Sequence, residues 1–250
     1  MSADAPLEIL YEDGPVIAVN KPAGLLTQGV PQGIATLELQ VKAYLKAKYN
    51  KPGNVYLGIP HRLDRPASGV VLFARNSKAA SRLAEQFQRR QVRKVYLAVT
   101  EQPPDPPQGT LTDWLVKIAD EARVKVVEPS TAGAKEATLT YRTLASAERG
   151  TLLEIELGTG RTHQIRVQLA SRGWPLVGDW QYGATSALLS EPQADRRTEP
   201  IALHAVSLTV MHPIRYEPIT VTAPLPQAWA TLGLAADLTR WDRRDCAKLV

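Results

Sequence analysis

The sequence predicts an α+β fold, with a mixed, largely antiparallel sheet and flanking helices. Short apolar, β-branched runs such as residues 70–74 have the length and composition of buried strands. Two longer segments, 36–49 and 77–90, repeat apolar residues at helical spacing. Leu153, Ile155 and Leu157 alternate with Glu154 and Glu156, the pattern of a strand with one wet face. The 250 residues, 44% of them apolar, suffice for a sizeable core.

Taken in order, Glu12-Asp13-Gly14-Pro15 signals a turn and 16–19 a short buried strand. Asn20-Lys21-Pro22-Ala23-Gly24-Leu25 is a loop leaving that strand, since Pro22 has no N–H for a central ladder. Lys21 reads as a structural turn residue, with RNA contact as the alternative. A helix over 36–49 has its apolar positions at 37, 41, 44, 45 and, less strongly, 48, and Lys51-Pro52-Gly53-Asn54 ends it. A strand is expected at 55–59. After the run at 70–74, Asn76-Ser77 offers an N-cap for a helix to Arg90, with Ala79, Ala80, Leu83, Ala84 and Phe87 on one stripe.

The next strand, 93–99, puts Lys94, Tyr96 and Ala98 on one face. The proline-rich 103–107 is a stiff surface loop, and strands follow at 123–127, 137–144 and 151–157. Gly158 and Gly160 allow a tight turn, Thr162 caps a short helix and Gly173 closes it, so Arg161 stands at a strand-to-helix corner. Residues 184–200 form a polar loop, 201–213 and 219–222 two last strands, and 228–234 a short helix.

One stretch carries chemistry: His61-Arg62-Leu63-Asp64-Arg65-Pro66-Ala67-Ser68-Gly69, leading into the strand at 70. Asp64 is a carboxylate among cations, whose charges favour its ionised form, on a turn beside a buried strand. Such a group can act as nucleophile or base. The competing reading is a turn cap paired with arginines on a crowded surface.

The net charge is +5 and the pI about 9.3. Arg75, Lys78, Arg82, Arg89, Arg90, Arg93 and Lys94 lie in one segment against the lone Glu85, which more than accounts for that charge. A polyanion partner is expected, with a solvated helix face as the alternative. The single cysteine, Cys246, excludes an internal disulfide and argues for a reducing compartment. Histidines 61, 163, 204 and 212 lack zinc-site spacing, and no apolar run reaches the length of a membrane span. A cytosolic protein without metal is expected.

HRLDRPASGVVLFAR resembles the catalytic motif of the RluA-type pseudouridine synthases, whose essential residue is the Asp. Other stretches resemble family motifs in the same order: NKPAGL, KVYLAV, the run GTGRTHQIRVQLASRGWPLVGDWQYG, and the LHA of residues 203–205. Trp174 and Gln181 depart from the pattern, where His and Lys are expected, which puts RNA contacts there in doubt. The resemblance covers about residues 7–225 and implies the pseudouridine synthase fold, with a central cleft, in a single catalytic domain over 1–250 with a C-terminal extension. Many relatives carry a small RNA-binding module ahead of that domain, and here the catalytic domain is expected to start directly.

The resemblance also implies the chemistry: specific uridines in structured ribosomal or transfer RNA become pseudouridine, by base flipping and by cleavage and re-formation of the glycosidic bond. Asp64, Tyr96 and Arg161 would be catalytic, Tyr96 facing the base and Arg161 pairing with the Asp. Leu203 would pack under the uracil and Arg62 fill the gap that the flipped base leaves. Arg65, Arg82, Arg89 and Arg90 complete the expected substrate-binding set. No cofactor is expected, because the exchange of bonds needs neither redox nor energy input, and the protein is expected to be a monomer with RNA as partner.

A non-catalytic RNA-binding or RNA-remodelling protein on the same fold is the alternative. It would keep the basic helix but lose Asp64, Arg161 or Tyr96, and all three are present. A hydrolytic glycosidase would need a second carboxylate near the first, and none adjoins Arg161 or Tyr96 in sequence.

Overall fold

The computed structural model describes residues 7–29, 33–119, 121–147, 149–189 and 195–233. Among them the elements run β1 (Glu8–Asp13), β2 (Val16–Lys21), α1 (Leu37–Lys48), β3 (Ser68–Ala74), α2 (Ser77–Gln88), β4 (Arg93–Thr100), β5 (Gln108–Lys117), β6 (Val124–Val127), β7 (Lys135–Ala147), β8 (Gly150–Leu157), α3 (Gln164–Ala170), β9 (Leu203–Met211) and β10 (Pro218–Thr222). The α+β class and the predominance of antiparallel pairing are as expected. No described helix is long and apolar enough to cross a membrane. The chain divides into two compact units, one of residues up to 93 with 205–224, the other of 94–204 with the residues from 225.

In the first unit β1, β2 and β3 pair antiparallel in sequence order, and β9 pairs antiparallel with β10. Residues 16–19 and 70–74 are at most 1% exposed, which is why both read as unbroken apolar runs. The stripe of α2, Ala79 and Leu83, packs on Val16 and Ala18 of β2, Val70 and Leu72 of β3, Leu208 and Val210 of β9, and Ile219 and Val221 of β10. Full burial of Leu83 alone stabilises by about 2 kcal/mol. Both helix starts follow their caps: Thr36 accepts from the Leu39 N–H and Asn76 from the Ala79 N–H. The strand expected at 55–59 is not there; Gly58 makes one isolated antiparallel bridge to Ala74.

A carboxylate clasp joins β1 to α1 and to the end of β3. Glu12 Oε2 accepts from the Tyr44 hydroxyl and Lys48 Nζ, both at 2.8 Å, and Oε1 from the Tyr49 hydroxyl at 2.6 Å and an Arg75 terminal nitrogen at 3.3 Å. Burial raises the Glu12 pKa, but the bonds from Lys48, Tyr49 and Tyr44 outweigh it and hold the carboxyl at about 2. A depressed carboxyl stabilises the fold above its unfolded pKa of 4.5 and stops doing so as pH falls towards about 2. Because Lys48 is half-exposed, the contribution is put at about 2 kcal/mol, below the full linkage value. Glu12→Gln should therefore unfold at lower urea than the parent at pH 7, and the gap should close as pH drops through that window.

In the second unit the strand order is β4-β8-β7-β5-β6, all neighbours antiparallel. Strand β5 has no counterpart in the sequence reading. Its buried apolar residues, Leu111 and Leu115, are four apart, and the position between them is Asp113, bonded to Arg172 and Gln168. That half-buried carboxylate erases the two-residue alternation. The N-cap position of the short helix α3 is His163 in the left-handed region (φ 52°), with no side-chain capping bond, and not Thr162; Gly173 (φ 80°) lies just past its end, as expected. Residues 227–232 form a 3-10 turn where a helix over 228–234 was expected; its last residue, like Cys246, lies outside the described residues.

Candidate active site

The Asp64 loop is fastened to rigid structure on several sides. His61 Nε2 accepts the Leu72 N–H at 2.9 Å, so that nitrogen carries no proton, and its ring stacks on Phe87 of α2 with centroids 4.8 Å apart. His61 is therefore a neutral brace rather than one of the cations around Asp64. Thr27, 2% exposed, accepts the Leu63 N–H and donates to the Leu63 carbonyl. The Ala67 N–H closes a turn onto the Asp64 carbonyl. Gly69 ends the loop with φ 117°, and a Cβ there would lie 2.3 Å from the Ala205 carbonyl oxygen, so no other residue fits. Asp64 itself is half-buried.

Beneath the loop lies Lys21, with 0% exposure, which rules out contact with RNA. Its Nζ donates to the carbonyls of Pro22, Leu25 and Arg65 at 2.9, 2.7 and 3.1 Å, one acceptor for each N–H of an ammonium. Burial lowers the Lys21 pKa to about 7, the Asp64 charge raises it and the Arg65 charge lowers it further. Arg65 completes the strap: its carbonyl also accepts the Gly24 N–H, and its Nε donates to the Gly24 carbonyl at 3.0 Å. The NKPAGL loop and the Asp64 loop are thus one hydrogen-bonded body. The sequence marked both stretches and read Lys21 as a structural turn residue, but not that it joins the two loops, because that link is to the Arg65 carbonyl 44 positions away.

In the second unit Tyr96 lies in β4 opposite Ile155 and is 9% exposed. Lys94, two residues before it, donates to the Thr159 carbonyl at 3.1 Å. Arg161 is at the corner between β8 and α3, half-buried, its N–H on Gln164 Oε1 and its Nε on the Glu136 carbonyl at 2.9 Å. Gln164 is the pivot of that corner, since it also accepts from Thr159 and donates to the Thr138 carbonyl. Leu203 opens β9 and is 4% exposed.

Sequence reasoning passed over the buried ion pair of this unit. Arg166 and Asp179, with side chains 4% and 1% exposed, form a two-pronged bridge at 2.7 and 2.8 Å. Arg166 also donates to Gln181 Oε1 and faces the Tyr182 ring at 4.9 Å. The departure at Gln181 thereby finds a structural use: it accepts from Arg166 and donates to the Ala122 carbonyl, and a lysine has no acceptor for the first bond. Trp174 packs on Tyr141, ring centroids 5.7 Å apart.

The arginines expected to bind substrate divide by environment. Arg62, Arg89 and Arg90 are exposed, and Arg89 pairs with Glu85 along the same helix at 2.8 Å. Arg65 is committed to the strap described above, and Arg82 is half-buried and bonded to the Pro213 carbonyl.

The backbone of the Asp64 loop is thus fixed just ahead of a buried strand, and comparison with known proteins identifies the family. The RNA pseudouridylate synthase family matches over residues 15–171, and the chain belongs to this family: it is an isomerase that converts uridine in RNA to pseudouridine. The ribosomal large subunit pseudouridine synthase D of Xylella fastidiosa is 38% identical over 90% of this chain and 67% of the relative. The tRNA pseudouridine synthase C of Haemophilus influenzae is 35% identical over 90% of this chain and 96% of the relative. Among solved structures, human RNA pseudouridylate synthase domain containing 4 superposes with a TM-score of 0.72 at 27% identity, covering 93% of both chains.

Proposed function

We propose that the protein isomerises specific uridines in structured ribosomal or transfer RNA, as a cytoplasmic monomer acting through a single catalytic domain. The observation that carries this is the Asp64 loop, a carboxylate whose backbone is pinned through Thr27, Lys21 and His61. A paired uridine is out of reach, so the base is flipped, at a cost of about a few kcal/mol in lost stacking. Asp64 then attacks the ribose or assists removal of a ribose proton, the N-glycosidic bond breaks, the uracil turns, and the ribose is rejoined at C5. The C5 proton leaves to solvent, and the uracil nitrogen released from the ribose takes up a proton. Tyr96, Arg161, Leu203 and Arg62 take the roles that the family resemblance implies for them. Arg65 is assigned to positioning the loop, because its Nε bonds the Gly24 carbonyl and its own carbonyl accepts from Lys21 Nζ.

Mapping pseudouridines chemically in ribosomal and transfer RNA from cells with and without the gene tests this. Defined positions should lose the modification on deletion and regain it with the parent gene. Identical maps would refute the assignment.

Arg89 and Arg90 at the exposed end of α2 are proposed to meet RNA phosphates, close to the catalytic loop because Phe87 stacks on His61. Replacing both with Ala should weaken binding and reduce the log-log salt slope by about one for each phosphate no longer neutralised. Unchanged affinity across a salt series would make them a solvated face.

A further inference from the structure

The turn between β9 and β10 presents an aromatic ring in a conformation that aromatic residues avoid. Tyr216 has φ 58° and is 62% exposed, the most exposed large apolar side chain among the described residues. A bulky residue in the left-handed region is strained, and such strain persists only where surroundings enforce it. They do so here. The His212 N–H bonds the Glu217 carbonyl at 2.7 Å, and the Tyr216 N–H bonds the His212 carbonyl at 3.0 Å. The His212 ring, 1% exposed, accepts the N–H groups of Ile214 and Arg215 on Nδ1.

Helix α2 braces the turn from the side. Gln86 exchanges two bonds with the Met211 backbone, and Arg82 donates to the Pro213 carbonyl. The Arg82 guanidinium then sits 5.3 Å from the centroid of the Tyr216 ring. Arg215 is neutralised by Asp13 and Glu217, whereas Arg82 bonds a carbonyl and pairs with no carboxylate among the described residues. Lys78, one helical turn before Arg82, is exposed. Ile214, 56% exposed, adds apolar surface to the same turn.

We infer that Tyr216, braced by Arg82, is a stacking platform for one unpaired base of the RNA, apart from the uridine that is isomerised. The inference rests on the RNA reading above. A flat, preorganised ring stacks any base, because every base has a π face, and a cation against the ring favours the adjoining phosphate. Ile214 lies against the sugar, and Lys78 and Arg82 face the backbone charge.

The test uses the full chain with Tyr216→Gly and Tyr216→Phe, and a fluorescent single-stranded oligouridylate read by anisotropy. Glycine takes φ 58° without strain, so Tyr216→Gly should unfold at the parent temperature or above. Its affinity should fall about tenfold with the salt slope unchanged, because the variant removes a stack and leaves every cation in place. Tyr216→Phe, which keeps the ring, should bind as the parent does. Parental affinity in the Gly variant would overturn the platform, as would a Phe variant as weak as the Gly variant. Sedimentation showing a parent dimer that the Gly variant dissolves would overturn it too, by making the patch a contact between copies. Release of tritium from C5-labelled uridine by the parent separates the two readings: if release occurs while the platform fails, only the platform is lost, and if none occurs the isomerase reading itself falls.

Discussion

Asp64→Asn should leave a folded, RNA-binding protein that no longer isomerises uridine. The substitution preserves size and removes the charge and the nucleophile. The loop's backbone fastenings, through Thr27, Lys21 and the turn to Ala67, do not involve the carboxylate. Loss of an oriented catalytic group removes orders of magnitude in rate. One electrostatic side effect is expected. The Asp64 charge raises the pKa of buried Lys21, so its removal should push that ammonium lower still and make stability slightly more pH-dependent around neutrality. The measurement is tritium release from C5-labelled uridine in bulk RNA under single-turnover conditions, beside an RNA-binding isotherm and a urea melt. Release at the parent rate would make Asp64 a turn residue and nothing more.

The largest stability effect is expected at the buried pair of the second unit. Asp179→Asn takes the two-pronged carboxylate away from the Arg166 guanidinium, whose side chain is 4% exposed. Breaking a buried pair by removing one partner costs about 3–5 kcal/mol, a large share of the roughly 5–15 kcal/mol by which a domain is stable. For a chain of this size that corresponds to a fall in Tm of about 10 °C. Removing both charges at once, as Arg166→Met with Asp179→Leu, should recover much of the loss, because the charge left in the core and not the missing attraction is the main penalty. Calorimetry on Arg166→Met, Asp179→Leu and the double variant makes the cycle. A double variant as unstable as the sum of the singles would mean that the pair acts only through shape. Because α3 starts three residues after Arg161, Asp179→Asn should also lower activity at temperatures where the fold still holds.

Much of the frame was legible in the sequence, for local reasons. The apolar spacing of α1 and α2 is set by the helix period, and their caps, Thr36 and Asn76, act on N–H groups three residues away. Strand β3 read correctly because both its faces are buried and residues 70–74 are all apolar. The Asp64 stretch stood out by its unusual composition, and its resemblance to a known motif gave it an expected function. Where the reading failed, a partner distant in sequence had intervened. At 55–59 one bridge replaced a ladder, and in β5 an inward Asp113 held by Arg172 disguised a strand. At α3 the cap passed from Thr162 to a left-handed His163, whose Nδ1 lies 2.9 Å from the Tyr182 hydroxyl.

By itself the sequence determined the class of fold, the helices, the basic segment and the carboxylate proposed for catalysis. These depend on periodicity, capping and composition, which act over a few residues. Only the tertiary structure decided what the ordinary-looking charged residues do. Arg166 and Asp179 drew no notice in a linear reading, Lys21 read only as a turn residue and Arg65 as a substrate contact. The fold buries them or binds them to partners up to 44 positions away. The physical reason is desolvation. A charge leaves water only where several acceptors or a counter-ion meet it, and that meeting is made by chain segments far apart in sequence.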